Sequence, residues 1–164
     1  QIQTLKNTKL QIIKPPSVVE YPTKNTLAIY PINEEESKNN DSLTLYVKIG
    51  EDTWLFTGDI QTEAEQEIRA RYPNLRVNNL KVAHHGSKTS TTQELLNQIQ
   101  PHQAFISAGK NNSYGHPNEE VLKRLEEMNI HTFTTAEQGA IMVKYYKIPF
   151  VKHWFIKTYT VYKN

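Results

Sequence analysis

The sequence predicts an α/β fold, with one mixed β-sheet and helices packed against it. Two observations carry this. From residue 42 onward, short apolar runs alternate with segments of helical spacing in the order strand, helix, strand, helix, strand, helix, strand. The middle strands are therefore joined by helical connections, which makes them neighbours in one sheet. The end strands instead follow turns, so they are expected to be antiparallel and the sheet mixed.

Each element has its own signal. Leu43, Leu45, Val47 and Ile49 alternate with polar residues, and residues 53–57 follow after Gly50-Glu51-Asp52, so this pair reads as a hairpin. Ala64, Ile68 and Tyr72 recur at helical spacing and predict a helix over Thr62–Arg71, stopped before Pro73. Residues 80–83 form a short apolar strand. Thr91-x-x-Glu94 reads as a capping box that opens a helix through Ile99, closed by Pro101. A strand is expected over 103–107. Val121, Leu122, Leu125 and Met128 mark a third helix begun near Pro117, where proline suits a first turn. Strands follow at 131–134, 140–146 and 153–162; Trp154, Tyr159 and Tyr162 alternate as sheet-face residues do. The polar runs Pro15-Pro16-Ser17 and Asn33 to Asp41 read as interruptions, the second as an exposed, solvated loop.

Bulk properties bound the function. A chain of 164 residues with 37% hydrophobic and 22% charged residues suits one globular domain. The net charge of 19 − 17 = +2 is too small to argue for nucleic-acid binding by itself. There is no cysteine, so thiolate metal sites are excluded and any metal must be held by histidine and carboxylate. No run approaches the roughly 20 apolar residues of a membrane span. The chain begins at Gln1 without a signal-like segment or an initiator methionine, and reads as a piece of something longer.

Three polar clusters follow the C-terminal ends of predicted strands, where α/β sheets place their sites. They are Thr57-Gly58-Asp59, then His84-His85-Gly86-Ser87, then Ser107-Ala108-Gly109 leading to Tyr114-Gly115-His116-Pro117. If the strands are adjacent, all three converge on one sheet edge. A carboxylate with imidazoles is what a hydrolytic metal centre uses, so Asp59 and His84 or His85 are candidate ligands. Ser87 could hold a phosphate oxygen, and His116 could donate to the same phosphate or protonate a leaving oxygen.

Each residue also has a plainer reading. Asp59 precedes a helix and could cap it. Paired loop histidines are commonly exposed and idle, and His116 could simply open a helix beside Pro117. His102, His131 and His153 have no polar company and read as surface or structural. The plainer readings lose force only when the clusters are taken together.

The ordered set Asn40–Leu43, Leu55–Asp59, Leu80–Ser87, Ile106–Gly109 and Tyr114–Pro117, closed by residues 135–141, resembles the C-terminal metallo-β-lactamase-like domain of the ComEC family of competence (DNA-uptake) membrane proteins. The likeness covers about residues 25–144. It implies that residues 1–164 are one partial domain, the second half of an αββα sandwich. It implies that Asp59 bridges two divalent metal ions, zinc or manganese, and that His85 or His84 is the late histidine ligand. His85 is expected, being further past the strand end. It implies that Ser87, Tyr114 and His116 contact substrate, and that Asp59 and His116 take part in catalysis. The function implied is degradation or handling of the non-transported DNA strand, met as single strand or duplex, beside the protein's own membrane channel, with the extracytoplasmic side favoured.

One departure is large. The family's first metal site comes from a His-x-His-x-Asp-His motif, and no histidine precedes His84 here. The missing first half is therefore an expected partner. The metal is expected to be absent or partial in this chain, nuclease activity lacking in it alone, and self-association favoured through an open sheet edge or apolar face. Two other classes remain open: a non-catalytic nucleic-acid-binding or assembly module of the same fold, and a free hydrolase not tied to a membrane.

Overall fold

The structure is a computed structural model that describes residues 9–13, 17–19, 28–30, 39–49, 51–147 and 154–160. Its central sheet has six strands, β1 (Lys9–Ile13), β4 (Thr44–Ile49), β5 (Asp52–Phe56), β6 (Asn79–Lys81), β7 (Gln103–Ile106) and β8 (His131–Thr134), hydrogen-bonded in that order. The pairs β1–β4 and β4–β5 are antiparallel, whereas β5–β6, β6–β7 and β7–β8 are parallel. The expected mixed α/β sheet is the observed one. Two small antiparallel pairs stand beside it: β2 (Ser17–Val19) with β3 (Ala28–Tyr30), and β9 (Ile141–Lys147) with β10 (Trp154–Thr160). No signal for β1, β2 or β3 was legible in the sequence. Pro15, Pro16, residues 33–38, His153 and Tyr162 lie outside the described residues.

The parallel register decides where everything else goes. Leu55, Leu80 and Ala104 are in line across three strands, and Phe56, Lys81 and Phe105 form the next row. Because side chains alternate along a strand, these rows face opposite ways. The first row packs under the helices α2 (Gln93–Ile99) and α3 (Glu119–Glu127), with Leu95, Leu96, Ile99, Val121 and Leu125 all buried against it. The helix α1 (Thr62–Arg71) adds Ala64 and Ile68 beside Ile60 and Ala83. Full burial of each such aliphatic side chain contributes roughly 1.5–3 kcal/mol.

The other face is aromatic. Trp54 stacks on Phe56 at 5.4 Å and lies 4.9 Å from Phe105, which stacks on Phe133 at 5.0 Å. Strand β9 lays Ile141, Val143 and Tyr145 over this face, and the Trp54 indole N–H donates to the Tyr145 hydroxyl. Desolvation there pushes the Tyr145 phenol up to about 12. An open apolar sheet face was expected of a half-domain. Here Trp54 and Phe105 are only 6% and 7% exposed, because β9 packs across them.

Several local expectations shift. β6 ends at Lys81, and residues 83–86 form a single 3-10 turn instead of prolonging the strand. The cap of α2 is Thr92, whose side chain accepts from the Leu95 N–H, not Thr91. Asn118 caps α3, so Pro117 precedes the helix and does not open it. A short helix α4 (Thr135–Gln138), capped by Thr134, was not anticipated.

Thr91 was displaced as a cap by a carboxylate that reads as a solvent residue in the sequence. Glu65, on α1, is fully buried and accepts from the Thr91 and Thr92 N–H groups and from the Thr92 hydroxyl. Burial raises its pKa above the ordinary 4.5, against the lowering pull of those bonds and of Arg124. Removing the carboxylate strands two backbone donors and opens a cavity, so Glu65→Ala should cost on the order of 3 kcal/mol in urea unfolding. A loss below about 0.5 kcal/mol would show the clasp is not structural. The raised folded pKa also fixes a sign. The stability from Glu65 protonation is fully present below the unfolded value of 4.5 and is lost as pH rises through the folded value. Unfolding free energy of wild type relative to Glu65→Gln should therefore fall with rising pH across that window; a flat or rising difference would contradict the burial argument.

Candidate active site

The parallel order β5–β6–β7 brings the three polar clusters to one edge of the sheet, as the spacing implied. Asp59 lies three residues past β5. The 3-10 turn with His84 and His85 follows β6, and the Ser107–Pro117 loop follows β7.

These loops are tied by backbone bonds made where glycine allows close approach. The His84 N–H donates to the Gly58 carbonyl at 3.1 Å, and the Asn118 N–H to the Gly86 carbonyl at 2.9 Å. Gly58 has φ +59, and a Cβ there would stand 2.7 Å from Ser42 Cβ. Gly86 has φ +83, and a Cβ there would stand 2.8 Å from Pro117 Cβ. Both positions exclude larger residues by conformation and by space. His84 and His85 themselves take left-handed backbone, φ +46 and +56. For non-glycine residues that conformation costs of order 1–3 kcal/mol each, held by the surrounding bonds.

Within this frame, His85 Nε2 lies 3.8 Å from Asp59 Oδ1, both side chains about half exposed. His85 Nδ1 is 2.7 Å from the Ser107 carbonyl, which can only accept. Nδ1 therefore carries a proton and donates, and Nε2 faces Asp59. A backbone carbonyl on the far nitrogen is the arrangement that fixes tautomer and orientation in metal-ligating histidines. Two ligands sharing one ion at about 2.1 Å each stand roughly 3.4 Å apart in tetrahedral geometry. The pair nearly fits that spacing. His84 is engaged differently: its Nε2 is 3.5 Å from the Asn39 amide nitrogen, and its Nδ1 is buried without a partner. Among the described residues, no three His, Asp or Glu side chains gather into a cation-holding group.

His116 lies beyond His84, with ring centroids 5.8 Å apart, and its Nδ1 is likewise buried and unpartnered. Tyr114 stacks on His116 at 6.1 Å. Ser87 does not offer a free hydroxyl. It is 6% exposed, and its Oγ is shared with the Thr89 hydroxyl at 3.1 Å, so it braces the loop. Asp59 does not cap α1; the cap position is Gln61, and its N–H donates to Asn40 Oδ1 at 2.7 Å.

Asn40 and its neighbours are the residues sequence reasoning missed. The run ending at Asp41 was expected to be solvated, yet Asn40 is 4% exposed. Its amide nitrogen donates to Glu63, and Ser42 Oγ accepts from the Asp59 N–H at 3.0 Å. Together with the α1 backbone, that Asn40 bond lowers the Glu63 pKa. The motif Asn40-x-Ser42 thus clamps the Asp59 loop. Asn112 does the same for the third loop. Its Oδ1 accepts from the Tyr114 and His116 N–H groups, and its Nδ2 donates to the Gly109 and His116 carbonyls. Lys81 supplies a nearby positive charge. Burial lowers its pKa, partly offset by the Asp59 carboxylate, and its Nζ donates to the Val82 carbonyl.

No protein-family model matches the chain. It is 47% identical over 109 residues to ComE operon protein 3 of Bacillus subtilis and 37% identical over 109 residues to Recombination protein 2 of Haemophilus influenzae. Each match covers 66% of this chain but 14% of the relative. Competence protein ComA of Neisseria gonorrhoeae is 36% identical over 104 residues, 63% of this chain and 15% of the relative. The chain thus spans only a small part of the length of the relatives it matches. With that similarity and the ordered motifs at one sheet edge, the chain matches a segment of the ComEC family of competence proteins.

Proposed function

We propose that this chain supplies part of a metal-dependent phosphodiester-hydrolysing centre in a DNA-uptake protein, where it acts on the strand that is not taken up. The observation that carries this is the Asp59–His85 pair, a carboxylate oxygen and an imidazole nitrogen 3.8 Å apart with the imidazole's other nitrogen tied to a backbone carbonyl. Asp59 and His85 would hold the ion, zinc or manganese. When bound, such an ion acts as a Lewis acid on a phosphoryl oxygen and lowers the pKa of water. The residues of this chain orient the reaction. Ser42 and Gly58 fix the Asp59 backbone, and the Ser107 carbonyl keeps the His85 proton on Nδ1. His116, held by Asn112, is placed to donate to a phosphate oxygen or to protonate the leaving oxygen. The remaining ligands would come from the part of the protein that carries the family's histidine motif. No helix among the described residues is long and apolar enough to cross a membrane. The reading places this domain outside the bilayer of a membrane protein, on its extracytoplasmic side.

In the full-length protein, Asp59→Ala should reduce Mn²⁺-dependent DNA cleavage to background while barely shifting the melting temperature, since Asp59 fills no core volume. An unchanged cleavage rate in that variant rules out the mechanism. The two adjacent histidines should separate. His85→Ala is expected to behave like Asp59→Ala in single-turnover cleavage. His84→Asn should lose only about 10- to 100-fold, the range of an outer positioning group. Equal losses in the two variants, or the larger loss at His84, would reverse the ligand assignment.

A further inference from the structure

Among the described residues, Tyr114 is by far the most exposed large apolar side chain, at 81% against 38% for Leu43 and 39% for Met142. Exposure of that degree usually marks a mobile loop tip, but here the backbone under the ring is fixed. Asn112 accepts from the Tyr114 N–H and from the His116 N–H, and donates to the carbonyls on either side of the loop. The phenol ring also lies nearly parallel to the His116 imidazole, at 23°. The ring is thus presented to solvent by a preorganised loop, which lowers the entropic cost of binding something flat.

The placement of that ring is the second observation. Centroids run from Tyr114 to His116 at 6.1 Å, from His116 to His84 at 5.8 Å and from His84 to His85 at 6.4 Å; Asp59 then lies 3.8 Å from His85. A row of rings therefore leads from an open aromatic surface to the carboxylate–imidazole pair. A nucleotide chain has the matching chemistry, phosphates joined to flat bases. In a duplex, both faces of an interior base are covered by its neighbours, so only an unpaired base can stack on a side chain.

We propose that Tyr114 is a stacking platform for an unpaired base, so that the site takes single-stranded DNA with a phosphate near Asp59 and His85 and a nearby base on the phenol ring. This rests on the phosphodiester reading of the same site. It adds which DNA that site accepts and which residue makes the choice. The exposed Lys110 of the same loop adds positive charge beside the incoming backbone.

The test is binding without catalysis. Anisotropy of a fluorescein-labelled oligothymidylate is measured in EDTA for wild type, Tyr114→Ala and Tyr114→Phe, with a matching oligonucleotide of abasic sites and a blunt duplex as comparators. Stacking predicts about tenfold weaker binding of the single strand by Tyr114→Ala and near-wild-type binding by Tyr114→Phe. It also predicts that wild type and Tyr114→Ala bind the abasic strand alike, and that the duplex is unaffected. The proposal is overturned if Tyr114→Ala binds the single strand as wild type does, if the loss persists on the abasic strand, if Tyr114→Phe falls as far as the alanine variant, or if wild type prefers neither strand. Because no metal is present, a protein that stacks bases this way yet never cleaves would refute the hydrolytic reading and leave the stacking assignment standing.

Discussion

The site depends on two backbone hydrogen bonds, from the His84 N–H to the Gly58 carbonyl and from the Asn118 N–H to the Gly86 carbonyl. They join the ends of three parallel strands into one surface. Without a glycine at each position, the chains could not approach: one Cβ would meet Ser42 and the other Pro117. The parallel register of β5, β6 and β7 brings the loops to a common edge, and these contacts set their relative heights. A carboxylate and an imidazole from separate segments thereby become one pair, each about half exposed.

The same ties explain how adjacent histidines come to differ. Both take left-handed backbone, which turns their side chains to different partners within one tight turn. His85 reaches the Ser107 carbonyl across the β6–β7 boundary, whereas His84 meets Asn39 from the loop before β4. One imidazole faces the Asp59 carboxylate, and the other faces the Asn39 amide. Lys81, at the end of β6, is partly buried, which lowers its pKa, and the Asp59 carboxylate offsets part of that.

Much of this was legible in the sequence for a physical reason. Apolar alternation marked β4 and β5, helical spacing marked α1 and α3, and the strand-end clusters marked the edge where the site lies. What was not legible is long-range. Nothing local distinguishes Glu65 from the solvent-facing acids on α1, because its donors come from Thr91 and Thr92 some 26 and 27 residues away. Asn40 sat in a run of polar residues whose composition says loop, and its burial follows only from docking onto α1 and the Asp59 turn. Ser87 read as a hydroxyl open to a ligand, and its bond to the Thr89 hydroxyl within the same loop has no local signal. The aromatic face looked open because the sequence gives no hint that β9 crosses it.

The central claim is that backbone ties, not the ion, prepare His85 as the ligand and set His84 aside. Histidine ¹⁵N chemical shifts of this chain, recorded before and during a zinc titration, address it directly. The account predicts a His85 protonated on Nδ1 in metal-free protein, with zinc shifting its Nε2 and leaving both ring nitrogens of His84 nearly unmoved. A His85 protonated on Nε2 before zinc is added, or a zinc shift centred on His84, would contradict it.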